Sequence, residues 1–171
     1  MSERMLRRRC RSLLRELDIR PPLDVTDMCG RLSALRGKPI VLMPHPMPVP
    51  GPFGVWMSTS RADHILYQEQ TTRPHQVHII LHEVGHLISD HRSDEQDDDL
   101  LQALYPHLAP DAVRRALRRT SYDTEQEREA ETVATIILQW ASVLDPLAPR
   151  LAVSPAGRRM HDGLADRMGW L

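Results

Sequence analysis

The segment QVHIILHEVGHLISDH, residues 76–91, narrows the possible folds more than any other part of the chain. Val77, Ile80, Val84 and Leu87 or Ile88 recur at the spacing of one helix face, the pattern of an α-helix anchored in a core. The same run is interrupted by His82, Glu83 and His86, groups that avoid apolar surroundings unless they are paired or bind a cation. His82 and His86 lie one helical turn apart, so both imidazoles project from one face and can share a single tetrahedral metal ion. Glu83 projects toward the place of the remaining ligand, a water. Gly85 leaves room beside them for a substrate or a neighbouring element. The segment therefore reads as a core helix, expected over 75–90, with one functional face.

Two histidines do not complete a catalytic zinc site, which takes a third protein ligand and keeps one position open. SYDTEQEREAETVATIIL, residues 121–138, offers Glu125, Glu127, Glu129 and Glu131. They lie on a helix expected over 124–143, whose Val133, Ile137, Trp140 or Ala141 and Leu144 form the apolar stripe. Glu127 and Glu131 share a face with Ala130 and Ala134, small residues that permit close approach to the HExxH helix. One carboxylate can then bind the metal while the other accepts an N–H from a liganding histidine. Glu127 is the first candidate for the third ligand and Glu129 the next. A competing reading makes TEQE a capping box, with Thr124 as N-cap and Glu127 closing it.

The rest of the chain frames this pair of helices. At 171 residues it is expected to form a single domain with a real core. A net charge of −1 gives no general pull toward nucleic acid or membranes. Cys10 and Cys29 form neither a metal-type pair nor a disulfide framework, which suits a reducing, cytoplasmic setting. No apolar run is long enough to span a bilayer. Residues 1–23 read as a basic amphipathic helix, with Met5, Leu6, Cys10, Leu13, Leu14 and Leu17 on one face and arginines on the other, expected over 3–18. A second helix is expected from the cap Asp24 to just before RGKP. The proline-rich PIVLMPHPMPVPGPFGVWM can flank edge strands at 40–43 and 54–57 but cannot be a central strand. A further strand is expected at 63–68, short helices at 97–105 and 111–118, and a last helix within 145–171. The sum is an α+β fold, a small antiparallel sheet packed with helices.

HEVGH followed by EREAETVATIIL resembles the ImmA/IrrE family of small bacterial metallopeptidases. There an HExxH helix precedes a helix reading E-x-x-A-(acidic or Asn)-x-(aromatic)-A. HILYQEQTTRPHQVHIILHEVGH is also similar to the family's edge strand, its arginine-containing turn (here Arg73) and the start of its active helix. The resemblance covers residues 24–144, with only the two helical motifs specific. It implies one zinc ion per chain on His82, His86 and Glu127, with Glu83 catalytic. Glu131 falls at the acidic position one turn after the ligand, a spacing shared with thermolysin-like zinc enzymes. The chain departs from the family at Val133, where an aromatic is usual, at IILQWASVLDP, where a leucine-rich stretch is usual, and in a longer segment 92–122.

The resemblance implies a zinc metalloendopeptidase whose protein substrate is a helix-turn-helix transcriptional repressor, cut to release stress or defence genes. A strand near 65–68 is expected to hold an extended substrate by β-augmentation. Tyr122, His78 and His91 are the available donors to the developing oxyanion, with His161 a more remote histidine. Two other readings stand beside this one. A zinc-containing binding module would contact a repressor or DNA through the RMLRRRCR helix without proteolysis. A toxin paired with an antitoxin would arrest growth when expressed alone. The proline-rich stretch is expected to be an ordered connector rather than an SH3-type ligand.

Overall fold

Leu6, Cys10, Leu14 and Leu17 fall on one side of a helix, and burying that side holds the N-terminal segment on the molecule. The computed structural model describes residues 2–47, 53–91 and 123–143. Within them the order is α1 (Glu3–Glu16), α2 (Val25–Arg36), β1 (Ile40–His45), β2 (Gly54–Ser58), β3 (Asp63–Gln68), α3 (Arg73–Ile88) and α4 (Thr124–Val143). This is an α+β fold, as expected. The helices expected at 97–105, 111–118 and within 145–171 lie outside the described residues, as does the long segment 92–122.

Helix ends follow local chemistry. The Asp24 Oδ1 atom accepts the N–H groups of Thr26 and Asp27 at 2.8 and 3.2 Å and so starts α2. Gly37 ends it in the left-handed conformation, φ 66°. Asp18 adopts the same conformation (φ 47°) after α1, which stops at Glu16 rather than at 18. α3 begins at Arg73, earlier than 75, because Pro74 fits the first turn, where its missing N–H has no intrahelical partner.

The strand order is β1-β3-β2. β2 and β3 are antiparallel, joined by a turn in which the Thr59 N–H donates to the Ala62 carbonyl at 2.9 Å. β1 lies on the other side of β3 and runs parallel to it, so the small sheet is mixed rather than wholly antiparallel. The connections explain this. A tight turn forces β2 to pair with β3, whereas the prolines after β1 remove the donors a hairpin between β1 and β2 requires. Pro44 is tolerated opposite Tyr67 because β1 is an edge strand. The Gln68 side chain continues this edge, donating from Nε2 to the Met47 carbonyl at 3.0 Å and accepting the Met47 N–H at 3.2 Å.

α3 packs on the sheet and most extensively on α4. Leu14, Leu32, Ile65, Leu81, Val84 and Ile137 are fully buried between the elements. Ile80 and Leu87 of the expected stripe are buried as well, while Val77 and Ile88 both pack at its margin. Cys10 and Cys29 are buried free thiols, and burial pushes Cys29 up to about 12, which removes its nucleophilic form. No helix among the described residues is long and apolar enough to cross a membrane.

One buried charge ties α2 to the sheet. The fully buried Asp63 carboxylate accepts from Arg36 Nη2 at 3.0 Å, Lys38 Nζ at 2.9 Å and Trp56 Nε1 at 3.3 Å. Burial alone raises this carboxyl, but hydrogen bonds from Lys38 and Ser58 and the charges of Lys38 and Arg36 outweigh it and hold it below its ordinary value. Asp63→Ala leaves two cations without their partner and is expected to cost about 3 kcal/mol. In a thermal melt the midpoint should fall by roughly 6–12 °C. A depressed carboxyl stabilises the fold above the unfolded Asp value of about 3.9, and that contribution is lost as pH falls through the lower folded value. Wild-type stability should therefore drop more steeply below about pH 4 than that of Asp63→Ala.

Candidate metal centre

α3 brings its polar face to α4 through a backbone contact. A Cβ on Gly85 would lie 2.8 Å from the Ala130 Cα and 2.9 Å from its carbonyl oxygen, so only glycine lets the helices approach this closely. Glu127 lies one turn before Ala130 and Glu131 directly after it, and this register turns both carboxylates toward the histidines. The capping reading of Glu127 does not hold. Asp123, one residue earlier than expected, is the N-cap: its Oδ1 accepts from Glu125 and Gln126 at 2.9 and 2.8 Å. Gln126 closes the box by accepting the Asp123 N–H at 3.1 Å. Glu127 is free to face α3.

His82, His86 and Glu127 form a group able to hold a metal ion. The two Nε2 atoms are 3.1 Å apart, His82 Nε2 is 3.3 Å from Glu127 Oε2, and His86 Nε2 is 3.7 Å from Glu127 Oε1. Bonds of 2.0–2.1 Å in tetrahedral geometry place ligand atoms roughly 3.3–3.4 Å apart, so the donors fit an ion of zinc's size. His86 is fully buried, and burial followed by the nearness of His82 and His91 pushes it down to about 3. It is neutral at ordinary pH, as a ligand must be. The His82 Nδ1 atom meets Glu131 Oε2 at 3.4 Å, which favours the tautomer that leaves Nε2 open toward the group.

Glu83 stands beside this group without belonging to it. It is 4% exposed, and its Oε2 has no hydrogen-bond partner among the described residues. Burial first, then the charge of Glu127, pushes its carboxyl up to about 8, against the pull of the Trp56 backbone N–H. A Cβ on Gly54 would come within 2.6 Å of both Glu83 Oε1 and Ile79 Cγ2, so a larger residue there would have to displace these two side chains.

A cleft of about 310 Å³ opens over these residues, with Phe53, Val55 and Ile79 as its apolar wall and His75 and His78 at its side. The Gln68 N–H donates to the Phe53 carbonyl and the Thr59 N–H to that of Ala62. Antiparallel alternation then turns the backbone polar groups of Gly54, Trp56 and Ser58 to the outer edge of β2, where the Trp56 N–H meets Glu83. The strand expected to receive a substrate, β3, is paired on both sides and cannot accept another. β2 is the edge beside the cleft.

Other expected residues fall into place or out of it. His78 Nε2 meets Glu131 Oε2 at 3.2 Å, so one oxygen serves both His78 and His82. Glu129 and Glu125 line a groove toward α1 with Glu3 and Leu6 and take no part in the group. Tyr122 and His161 lie outside the described residues. His91, expected only as a donor in the cleft, is buried and meets His86 Nδ1 through its own Nδ1 at 3.0 Å. Gly54 was not anticipated. Its one sequence signal is a glycine at the start of a strand, a common mark of close backbone approach. No family model, curated protein or solved structure matches the chain.

Proposed function

We propose that the chain is a zinc-dependent metallopeptidase that hydrolyses a peptide bond in a protein substrate. The observation that carries this reading is a buried carboxyl group, Glu83, with one oxygen unpartnered among the described residues, set beside two imidazoles and a carboxylate in one cleft. Two histidines and a glutamate form a donor set of catalytic zinc sites, where the bound ion supplies Lewis acidity and lowers the pKa of water. His82, His86 and Glu127 would hold the ion, with Glu131 orienting His82. Glu83 lines the same cleft with one carboxyl oxygen unpartnered among the described residues, which places it to take a proton from water and pass it to a leaving amine. The outer edge of β2 offers Gly54 backbone groups and the Trp56 carbonyl to an extended chain, and Phe53, Val55 and Ile79 offer it an apolar wall. The resemblance to ImmA/IrrE peptidases extends the proposal to a helix-turn-helix repressor as substrate.

Removing the metal tests this directly. Dialysis against 1,10-phenanthroline is expected to abolish cleavage of an unstructured peptide library, read by mass spectrometry, and zinc to restore it. Cleavage that survives metal removal contradicts the proposal. A second reading has one observation in its favour. Arg4, Arg8, Arg11 and Arg15 form an exposed stripe on α1 without an ion-pair partner among the described residues, a surface suited to phosphates. A nucleic-acid-binding module would use that stripe and leave Glu83 without a task.

A further inference from the structure

The two histidines of the metal group are held from behind in different ways. His82 leans on the half-exposed carboxylate of Glu131, whereas His86, fully buried, leans on another imidazole. We propose that His91 is a positioning residue for His86, fixing both the orientation of its ring and the nitrogen that carries its proton. This rests on the metal reading of the site.

The helix end builds the contact. Asp90 adopts the left-handed conformation (φ 52°), its N–H donates to the Leu87 carbonyl at 3.3 Å, and the His91 N–H donates to the His86 carbonyl at 3.0 Å. These are the paired bonds of a Schellman motif, which brings the second residue past the helix back over the third residue before its end. Here those two positions are His91 and His86, so one residue pair is joined through backbone and side chain alike. Arg9 of α1 donates to the Ile88 carbonyl and braces the same helix end. The His86 and His91 rings meet edge to face, 5.2 Å between centroids and 67° between planes.

The tautomers follow from the metal reading. His86 Nε2 faces His82 and Glu127, so it must offer a lone pair there, and its proton resides on Nδ1. The Nδ1 of His91 then accepts that proton's hydrogen bond, and His91 carries its own proton on Nε2. A neutral acceptor suits this position. A carboxylate in its place would bury a further negative charge close to Glu129, Asp123 and Glu127.

The test compares His91→Leu, which keeps bulk and loses the acceptor, with His91→Asn, whose Oδ1 can stand where Nδ1 stood. Zinc affinity is measured by competition with a chromophoric chelator, together with the visible spectrum of the cobalt-loaded protein and the melting temperature of each apoprotein. His91→Leu should bind zinc about 10–100-fold more weakly and alter the cobalt bands, with His91→Asn recovering most of the affinity. Equal zinc affinity in wild type and His91→Leu overturns the proposal and leaves the metal reading intact. Weakening by both variants in step with lower apoprotein melting temperatures also overturns it, because packing alone then explains the loss. A wild type that binds no zinc overturns both readings. Should His91→Leu fail to fold, nitrogen-15 NMR of zinc-loaded wild type decides: a proton on His86 Nδ1 and on His91 Nε2 supports the assignment, and the opposite tautomers overturn it.

Discussion

Glu83→Gln is expected to lower peptide hydrolysis by about 10²–10⁴-fold while zinc content stays at the wild-type level. Glutamine keeps the volume of the side chain and an oxygen for the Trp56 N–H, but it cannot take up a proton. His82, His86 and Glu127 are untouched, so metal binding should persist. The same change should stabilise the apoprotein. A carboxyl raised to about 8 binds its proton more tightly in the folded chain than in the unfolded one, whose value is about 4.3. Folding stability is therefore lost as pH rises between those values, and an uncharged amide escapes that loss. An active-site group that weakens the fold is the usual mark of a trade between stability and activity. A Glu83→Gln protein that retains full regulatory activity would contradict the peptidase reading and favour the binding module.

Gly85→Ala should damage both fold and metal centre. The added methyl would meet the Ala130 backbone at 2.8–3.2 Å, atoms that cannot swing aside as a flexible side chain would. Overpacking of this kind costs about 2 kcal/mol, a fall of roughly 4–8 °C in melting temperature. Relief requires α3 and α4 to part, which draws Glu127 away from His82 and His86. Zinc affinity should therefore fall by more than about 10-fold, as for loss of a supporting contact. Gly30→Ala is the control. Nothing lies within 4 Å of the added methyl in α2, so this variant should gain about 0.5–1 kcal/mol of helix propensity. Equal melting curves and zinc titrations for Gly85→Ala and wild type would show that α3 and α4 do not meet as described.

The legible part of this molecule is local. Helical periodicity alone puts His82 and His86 on one face, and the ends of α2 are marked by the Asp24 side chain and by the left-handed backbone that Gly37 permits. The α+β class follows from the same signals. Long-range pairing was less accessible: nothing near Asp63–Gln68 announces that it lies between two strands, because the prolines that keep β1 and β2 apart are remote from it. The cap of α4 shows a different difficulty. Asp123 and Thr124 are both good caps, and sequence preference alone did not choose the one that leaves Glu127 to the site. Gly54 and His91 act through contacts across turns and neighbouring strands, which spacing along one helix does not encode.

A metal centre built from His82, His86 and Glu127 stands or falls on the zinc content of the purified chain. Wild type, Glu127→Ala and Glu129→Ala would be purified without added metal and analysed for elemental content. About one zinc is expected in wild type and in Glu129→Ala, and little or none in Glu127→Ala. A wild type that neither carries zinc nor takes it up, or a Glu127→Ala protein that holds it as well as wild type, would contradict it.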